Sequence, residues 1–158
     1  FAPDGRDVPS VLIAYRDLPG VCVWQAFYGS SGHVERPKVP VVEAYTMRAG
    51  PDITTVKTIL NPRMVYKPGV HQTKFLSGEG VDTHRRTIVP GMPPHFDILR
   101  VNHYWSRSLA DLDQKVRRGD ASTAAARDRD WHFNFESKLN VERDEAILEA
   151  IRHPRQGT

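Results

Sequence analysis

The sequence predicts an α/β domain, and three stretches carry that prediction. GVCVWQAFYG (20–29) is a nearly continuous apolar run, rich in valine and aromatics and bounded by glycines, as a buried strand is. Before it, in DVPSVLIAYRDLPG (7–20), Val11, Leu12, Tyr15 and Leu18 recur at helical spacing. A second apolar run, FDILRVNHYW (96–105), passes at once into SLADLDQKVRRG (108–119), with Leu109, Leu112 and Val116 on one helical face. Strands alternating with helices argue for an α/β arrangement.

Each element has its own punctuation. Pro9 suits the first turn of the first helix, where its missing N–H costs nothing, and Gly20 ends that helix. SSGHVERPKVP (30–40) is a polar loop rich in turn formers. VVEAYTMR (41–48) reads equally as a strand or a short helix. TTVKTIL (54–60) and RMVYK (63–67) read as two short strands separated by Asn61-Pro62. Residues 69–95 read as a long loop holding His71, His84 and His95, longer than most loops in compact domains. Ser108 and Asp111 fit a capping box, and Gly119 a C-terminal stop. DASTAAARDRD (120–130) is polar and Ala-rich. VERDEAILEAIRH (141–153) reads as a final helix with Ile147, Leu148 and Ile151 as its apolar face and Pro154 beyond it.

The totals narrow the function classes. A chain of 158 residues fits one domain, and 39% hydrophobic content is enough for a core. The formal charge is +3 with acidic residues interleaved among the basic ones, so no polyanion stripe stands out. That balance fits a small phosphorylated ligand at least as well as nucleic acid, and no nucleic-acid partner is expected. The single cysteine, Cys22, sits in an apolar run and reads as a small buried hydrophobe rather than a disulfide partner or zinc ligand. No apolar stretch approaches the about 20 residues of a membrane span, and no signal peptide is visible. A cytoplasmic location is expected, with membrane association compatible. Phe1-Ala-Pro-Asp-Gly reads like the middle of a longer chain, and sequence before Phe1 is expected.

Few residues could carry chemistry. His103 ends a strand beside a helix N-terminus, where α/β folds tend to place ligands, and a neutral imidazole is a common metal ligand. Arg107 stands at the helix entrance, where a guanidinium beside free N–H groups can hold phosphate. The alternative is a His103 packed against Tyr104 and Trp105. Spacing alone favours that alternative, because isolated residue pairs are weak motifs. Gly29, Ser30, Ser31 and Gly32 follow a strand, so their backbone could approach a sugar or diphosphate, with His33 as a titratable group from the same loop. The same glycines equally serve a turn. Glu43 could act as a general base toward an attacking hydroxyl, or be a surface point on its element. His71 could be a second metal or substrate ligand. Asp111/Asp113 and Asp128/Asp130 both spell Asp-x-Asp, but a helix cap and a solvated face are the better readings.

YGSSGHVERP, VVEAYTMR, VKTILNP and VNHYWSRSLADLDQKVRRGD, in that order, resemble the C-terminal half of bacterial family-2-like glycosyltransferases with the GT-A fold, related to the family-92 galactosyltransferase-like group. The resemblance runs from about Phe1 to Asp120. It implies a partial GT-A, Rossmann-like nucleotide-diphospho-sugar transferase fold whose N-terminal half is missing. Residues 1–120 would be the C-terminal part of the catalytic domain and 121–158 a helical extension. It also implies a nucleotide-sugar donor, a UDP-sugar, a glycan or other hydroxyl acceptor, and Mn²⁺ or Mg²⁺ on the diphosphate. His103 matches the family's C-terminal metal-binding histidine, and Arg107 stands where the family commonly has lysine. Gly29 to His33 match the family's Phe-Gly-Ser-Ser-Gly-His, with Tyr28 replacing Phe. Ala44 replaces an arginine after Glu43, which weakens a base assignment there. The family's main acidic metal motif would lie just before Phe1, so the chain alone is expected to lack useful transferase activity.

Inverting transfer is favoured over retaining. Two other classes compete. One is a non-catalytic module that binds a glycan or phosphate through the same loops. The other is a metal-dependent hydrolase using His33, His71 and His103, which lacks a carboxylate–histidine cluster at ligand spacing.

Overall fold

The computed structural model describes residues 1–69, 73–121, 123 and 125–155. His71 lies outside the described residues. The structure is mixed α/β, and most of its strand pairs are antiparallel. In chain order the elements are α1 (Val8–Leu12), β1 (Gly20–Tyr28), α2 (Val41–Ala44), β2 (Met47–Arg48), β3 (Val56–Leu60), β4 (Val65–Lys67), β5 (Lys74–Phe75) and β6 (Val81–Asp82). There follow β7 (Val101–Tyr104), α3 (Leu109–Arg118), α4 (Arg129–Ser137), β8 (Glu142–Arg143) and α5 (Ala146–Arg152). Single 3₁₀ turns stand at Ile13–Tyr15 and Pro62–Met64. No helix of the described residues is long and apolar enough to cross a membrane.

The chain forms two compact units. The first takes Phe1–Gln25, Thr54–Val101 and the chain from Glu149; the second takes Ala26–Ile53 and Asn102–Leu148. Residues 121–148 therefore belong with the second unit.

In the first unit, Asp7 caps α1 by accepting from Ser10 N at 2.9 Å, and proline occupies the first turn as its fixed φ allows. The early part of β1 pairs antiparallel with β3 from Gly20↔Leu60 to Trp24↔Val56, and parallel with β6 at Val21↔Val81. Ala2, Val11, Tyr15, Val21, Val23 and Leu99 form the core against this pairing. Cys22 is half-buried with Sγ 3.4 Å from Thr58 Oγ1, and burial pushes its thiol up. That shift disfavours the reactive thiolate.

The stretch read as one long loop holds two short strands and a turn built on Asp82. That carboxylate is 0% exposed. It accepts from His84 N at 2.9 Å, Arg86 N at 2.8 Å and Arg86 Nε at 3.0 Å. Burial by itself raises such a carboxyl, but the bonds from Arg86 and His84 outweigh it and hold Asp82 below the usual range. Polar side chains made this stretch look structureless, although a single carboxylate organises its turn.

In the second unit, the end of β1 pairs with β2 at Tyr28↔Arg48, and β2 pairs with β8 at Met47↔Arg143. VVEAYTMR thus resolves into both of its readings, one helical turn and then a two-residue strand. Ser108 caps α3 and Gly119, at φ +78°, ends it, as expected. The helix α4 is not evident in the sequence pattern, because its apolar face is aromatic and interrupted by His132, Asn134 and Glu136. Its start is nonetheless written in Asp128, whose side chain accepts from Trp131 N at 3.0 Å. The last helix begins at Ala146 rather than Val141. Glu142 and Arg143 pair with β2 instead, and Asp144 N donates to Thr46 O at 2.7 Å.

Asp82→Asn keeps the shape but removes the charge that the Arg86 donors face. The expected loss is about 1–3 kcal/mol, read as a lower urea midpoint at unchanged slope. Because the folded carboxyl is depressed, its contribution is present above the ordinary carboxylate range and is lost as pH falls through the folded value. The gap between wild type and variant should therefore shrink below about pH 4.

Candidate functional site

The second unit is organised around the corner where β7 turns into α3. Trp105 N–H donates to Tyr28 O at 3.0 Å, and Trp105 C=O accepts from Lys115 Nζ at 2.9 Å. The same ammonium lies 4.0 Å from the centre of the Trp105 ring. His132 stacks on that indole at 5.5 Å, and Phe135 meets it edge-on at 4.9 Å. Trp105 thus packs against side chains of both α3 and α4. His103 packs 4.7 Å from Phe27, and Tyr104 5.0 Å from Tyr28.

Arg107 makes the turn itself. Its φ is +57°, a left-handed conformation that costs a non-glycine residue on the order of 1–2 kcal/mol. The helix N-terminus that follows is already satisfied by the chain. Leu109 N donates to His33 O at 3.0 Å, Ala110 N to Val34 O at 2.9 Å, and Asp111 N to Ser108 Oγ at 3.1 Å. Free N–H groups at this terminus, expected from the sequence to help hold phosphate, are absent at these three positions. Any anion here must be held by side chains.

Those side chains are present. A cleft of about 690 Å³ is lined by Arg36, Arg107, Lys115, Arg117 and Arg118 against the single carboxylate of Asp111. His103 and Trp105 also line it. Arg36 hydrogen-bonds Asp111 and holds its carboxyl below the usual range, and Arg117 pairs with Asp113 at 2.7 Å. Arg107, Lys115 and Arg118 have no carboxylate in ion-pair reach among the described residues. Burial, with the nearby Arg127 and Arg118, lowers Lys115 to about 8. Ser106 also lines the cleft; it is 3% exposed, and its hydroxyl finds no hydrogen-bond partner among the described residues.

The glycine–serine loop is held tightly by distant residues. Ser30 N donates to Glu136 Oε1 at 2.9 Å, and Ser31 N to Asn140 Oδ1 at 2.8 Å. Asn140 Nδ2 in turn donates to Glu136 Oε1 at 2.7 Å. A Cβ on Gly29 would stand 2.5 Å from Asn140 Oδ1, so glycine is required there by close approach. Ser31 Oγ accepts from Met47 N at 2.9 Å, and Ser30 Oγ from Gly32 N at 3.3 Å. His33 Nε2 donates to Ala44 O at 3.0 Å, with its ring edge-on to Tyr45. The loop is thereby a strut between β1, β2 and α4, with the N–H groups of Ser30 and Ser31 committed inside the protein.

Of the residues singled out from sequence, the cleft brings together His103 and Arg107. Gly29, Ser30, Ser31, Gly32, His33 and Glu43 do not line it, and Glu43 is exposed on α2. Asp111, Asp113 and Asp128 serve as cap or ion-pair partners. Among the described residues no group of three or more His, Cys, Asp or Glu side chains could hold a metal ion. His103 alone does not make a site for Mn²⁺ or Mg²⁺. Sequence reading missed Lys115 and Arg118. Their signal was the helical spacing of Asp111, Gln114, Lys115 and Arg118, which puts all four on one face of α3.

Glu136→Ala should cost about 1–3 kcal/mol by leaving the buried Ser30 N–H unsatisfied, with faster amide exchange confined to Gly29–Gly32 as the local sign. A second outcome concerns Lys115, whose amine is depressed on folding from 10.5 to about 8. The unfolded chain binds that proton more tightly, so this group makes wild-type stability rise as pH climbs from about 8 to 10.5. Lys115→Met should lack this rise, read by thermal unfolding at a series of pH values from about 7 to 10.5. Comparisons of the chain with known protein families, with curated proteins and with solved structures find no match.

Proposed function

We propose that this chain is part of a glycosyltransferase that moves a sugar from a UDP-sugar donor to a hydroxyl of a glycan acceptor, with inversion. In this reading the cleft at the Trp105 corner receives the donor's diphosphate, and the mixed α/β structure is part of a GT-A fold. The observation that carries the proposal is the cleft lining, where Arg107, Lys115 and Arg118 stand without carboxylate partners among the described residues.

The chemistry asks for such a lining. As the bond from the anomeric carbon to the diphosphate oxygen breaks, negative charge grows on the leaving group. Fixed guanidinium and ammonium groups stabilise that charge more than they stabilise the bound donor. Arg107 is held in place by its strained turn, and its planar fork can contact two phosphate oxygens at once. Mn²⁺ or Mg²⁺, implied by the family resemblance, would add charge neutralisation; the described residues do not assemble a site for it. The acceptor's proton needs a base from outside the cleft, because Asp111 is committed to Arg36 and Ser108.

That commitment also favours a second reading, a non-catalytic module that binds phosphate without turnover. Titration calorimetry of UDP into the chain at low and high salt, with and without Mn²⁺, tests the shared binding claim. UDP should bind, weaken with salt, and weaken about tenfold in Arg107→Gln, the scale of one charge-assisted hydrogen bond. Absence of UDP binding in every condition would sink the donor assignment. Transfer from a UDP-sugar by the longer protein of which the chain is proposed to be part separates the enzyme from the module.

A further inference from the structure

We infer that the ammonium of Lys115 is the point at which the cleft grips a phosphate group. The inference rests on the donor reading above and names the residue that does the holding.

An ammonium carries three donors. One of Lys115's is used on Trp105 O, and the others find no acceptor among the described residues. The charges nearest it repel it. Arg118 lies one turn along α3, and Arg127, which reaches Gly119 O at 2.9 Å, lies ahead of α4. His132 of α4 stacks on the Trp105 indole, while His103 and Arg107 share the cleft from the corner. Asp120 pairs with Arg127 at 3.3 Å and Asp111 with Arg36, and among the described residues no carboxylate is in ion-pair reach of the ammonium. A half-buried cation among cations destabilises the empty fold, and a bound anion would relieve that cost.

Two more features point the same way. The buried Ser106 hydroxyl lines this cleft without a partner. The three N–H groups Leu109–Asp111, the usual alternative for an anion beside a helix, are already used. Three unpaired cations match a multiply charged phosphate or diphosphate better than a single carboxylate. The phosphate could belong to the donor nucleotide or to a phosphorylated acceptor.

The test is calorimetric titration of pyrophosphate into the 158-residue chain at pH 7.5 and 9.5, for wild type, Lys115→Arg and Lys115→Met. Thermal unfolding of each variant establishes that it is folded. Guanidinium groups stay charged throughout this range, and pyrophosphate itself only gains negative charge. Wild-type affinity should nevertheless fall about tenfold between the two pH values, as the Lys115 proton is lost. Lys115→Arg should bind at both pH values without that fall. Lys115→Met should be about tenfold weaker at pH 7.5 and show no fall. Wild-type affinity in Lys115→Met, or the wild-type fall persisting in Lys115→Arg, would overturn the inference.

UDP and glucose 6-phosphate separate the two sources. Lys115-dependent binding that is tightest for UDP supports the donor. Lys115-dependent binding that is tightest for glucose 6-phosphate keeps Lys115 but overturns the donor reading. UDP binding that is lost in Arg107→Gln yet indifferent to Lys115 overturns the Lys115 role and keeps the donor. No binding of any of the three phosphates overturns both.

Discussion

The second unit depends on how one residue is fixed. Trp105 has its N–H on the Tyr28 carbonyl and its C=O on the Lys115 ammonium. The first bond sets where β7 stops, and the second ties α3 to the strand end it has just left. The indole, with the same ammonium over its ring, also packs against His132 and Phe135 of α4. Strand, helix and the following helix thereby converge on a single side chain. The cleft is a consequence: Arg107 must turn the chain sharply to start α3, and the polar face of α3 then stands over the corner with its cations.

This arrangement explains why a lysine is used where an apolar residue would pack well. Its ammonium sits over the indole, donates to the Trp105 carbonyl and lines the cleft. An uncompensated ammonium is a poor choice for stability alone, since burial and two arginines both act against it. Such conflicts between local stability and charge placement are expected where a ligand completes the electrostatics. The Arg107 backbone, strained at a non-glycine position, is a second conflict at the same corner.

What could be read from the sequence was what neighbouring residues decide among themselves. The glycine-bounded run of β1, the cap at Ser108 and the stop at Gly119 are all local, and all three are where the sequence places them. The early part of the last helix was not readable, because a distant strand claims Glu142 and Arg143. The Gly29–Gly32 loop shows the same limit in the site. Its turn chemistry was visible, but the acceptors that take its N–H groups, Glu136 and Asn140, lie more than a hundred residues away in sequence. His103 and Arg107 were legible as a strand-to-helix corner. Lys115 was not, because its environment is made by Trp105 and by arginines on two separate segments.

The central claim, that this corner is a phosphate site built from side chains, is tested most directly by a crystal structure of the chain grown with pyrophosphate. The expected result is pyrophosphate in the cleft, within hydrogen-bond distance of Lys115 Nζ and of the Arg107 or Arg118 guanidinium. Pyrophosphate seated instead at the Gly29–Gly32 loop, or bound elsewhere with Lys115 untouched, would contradict it.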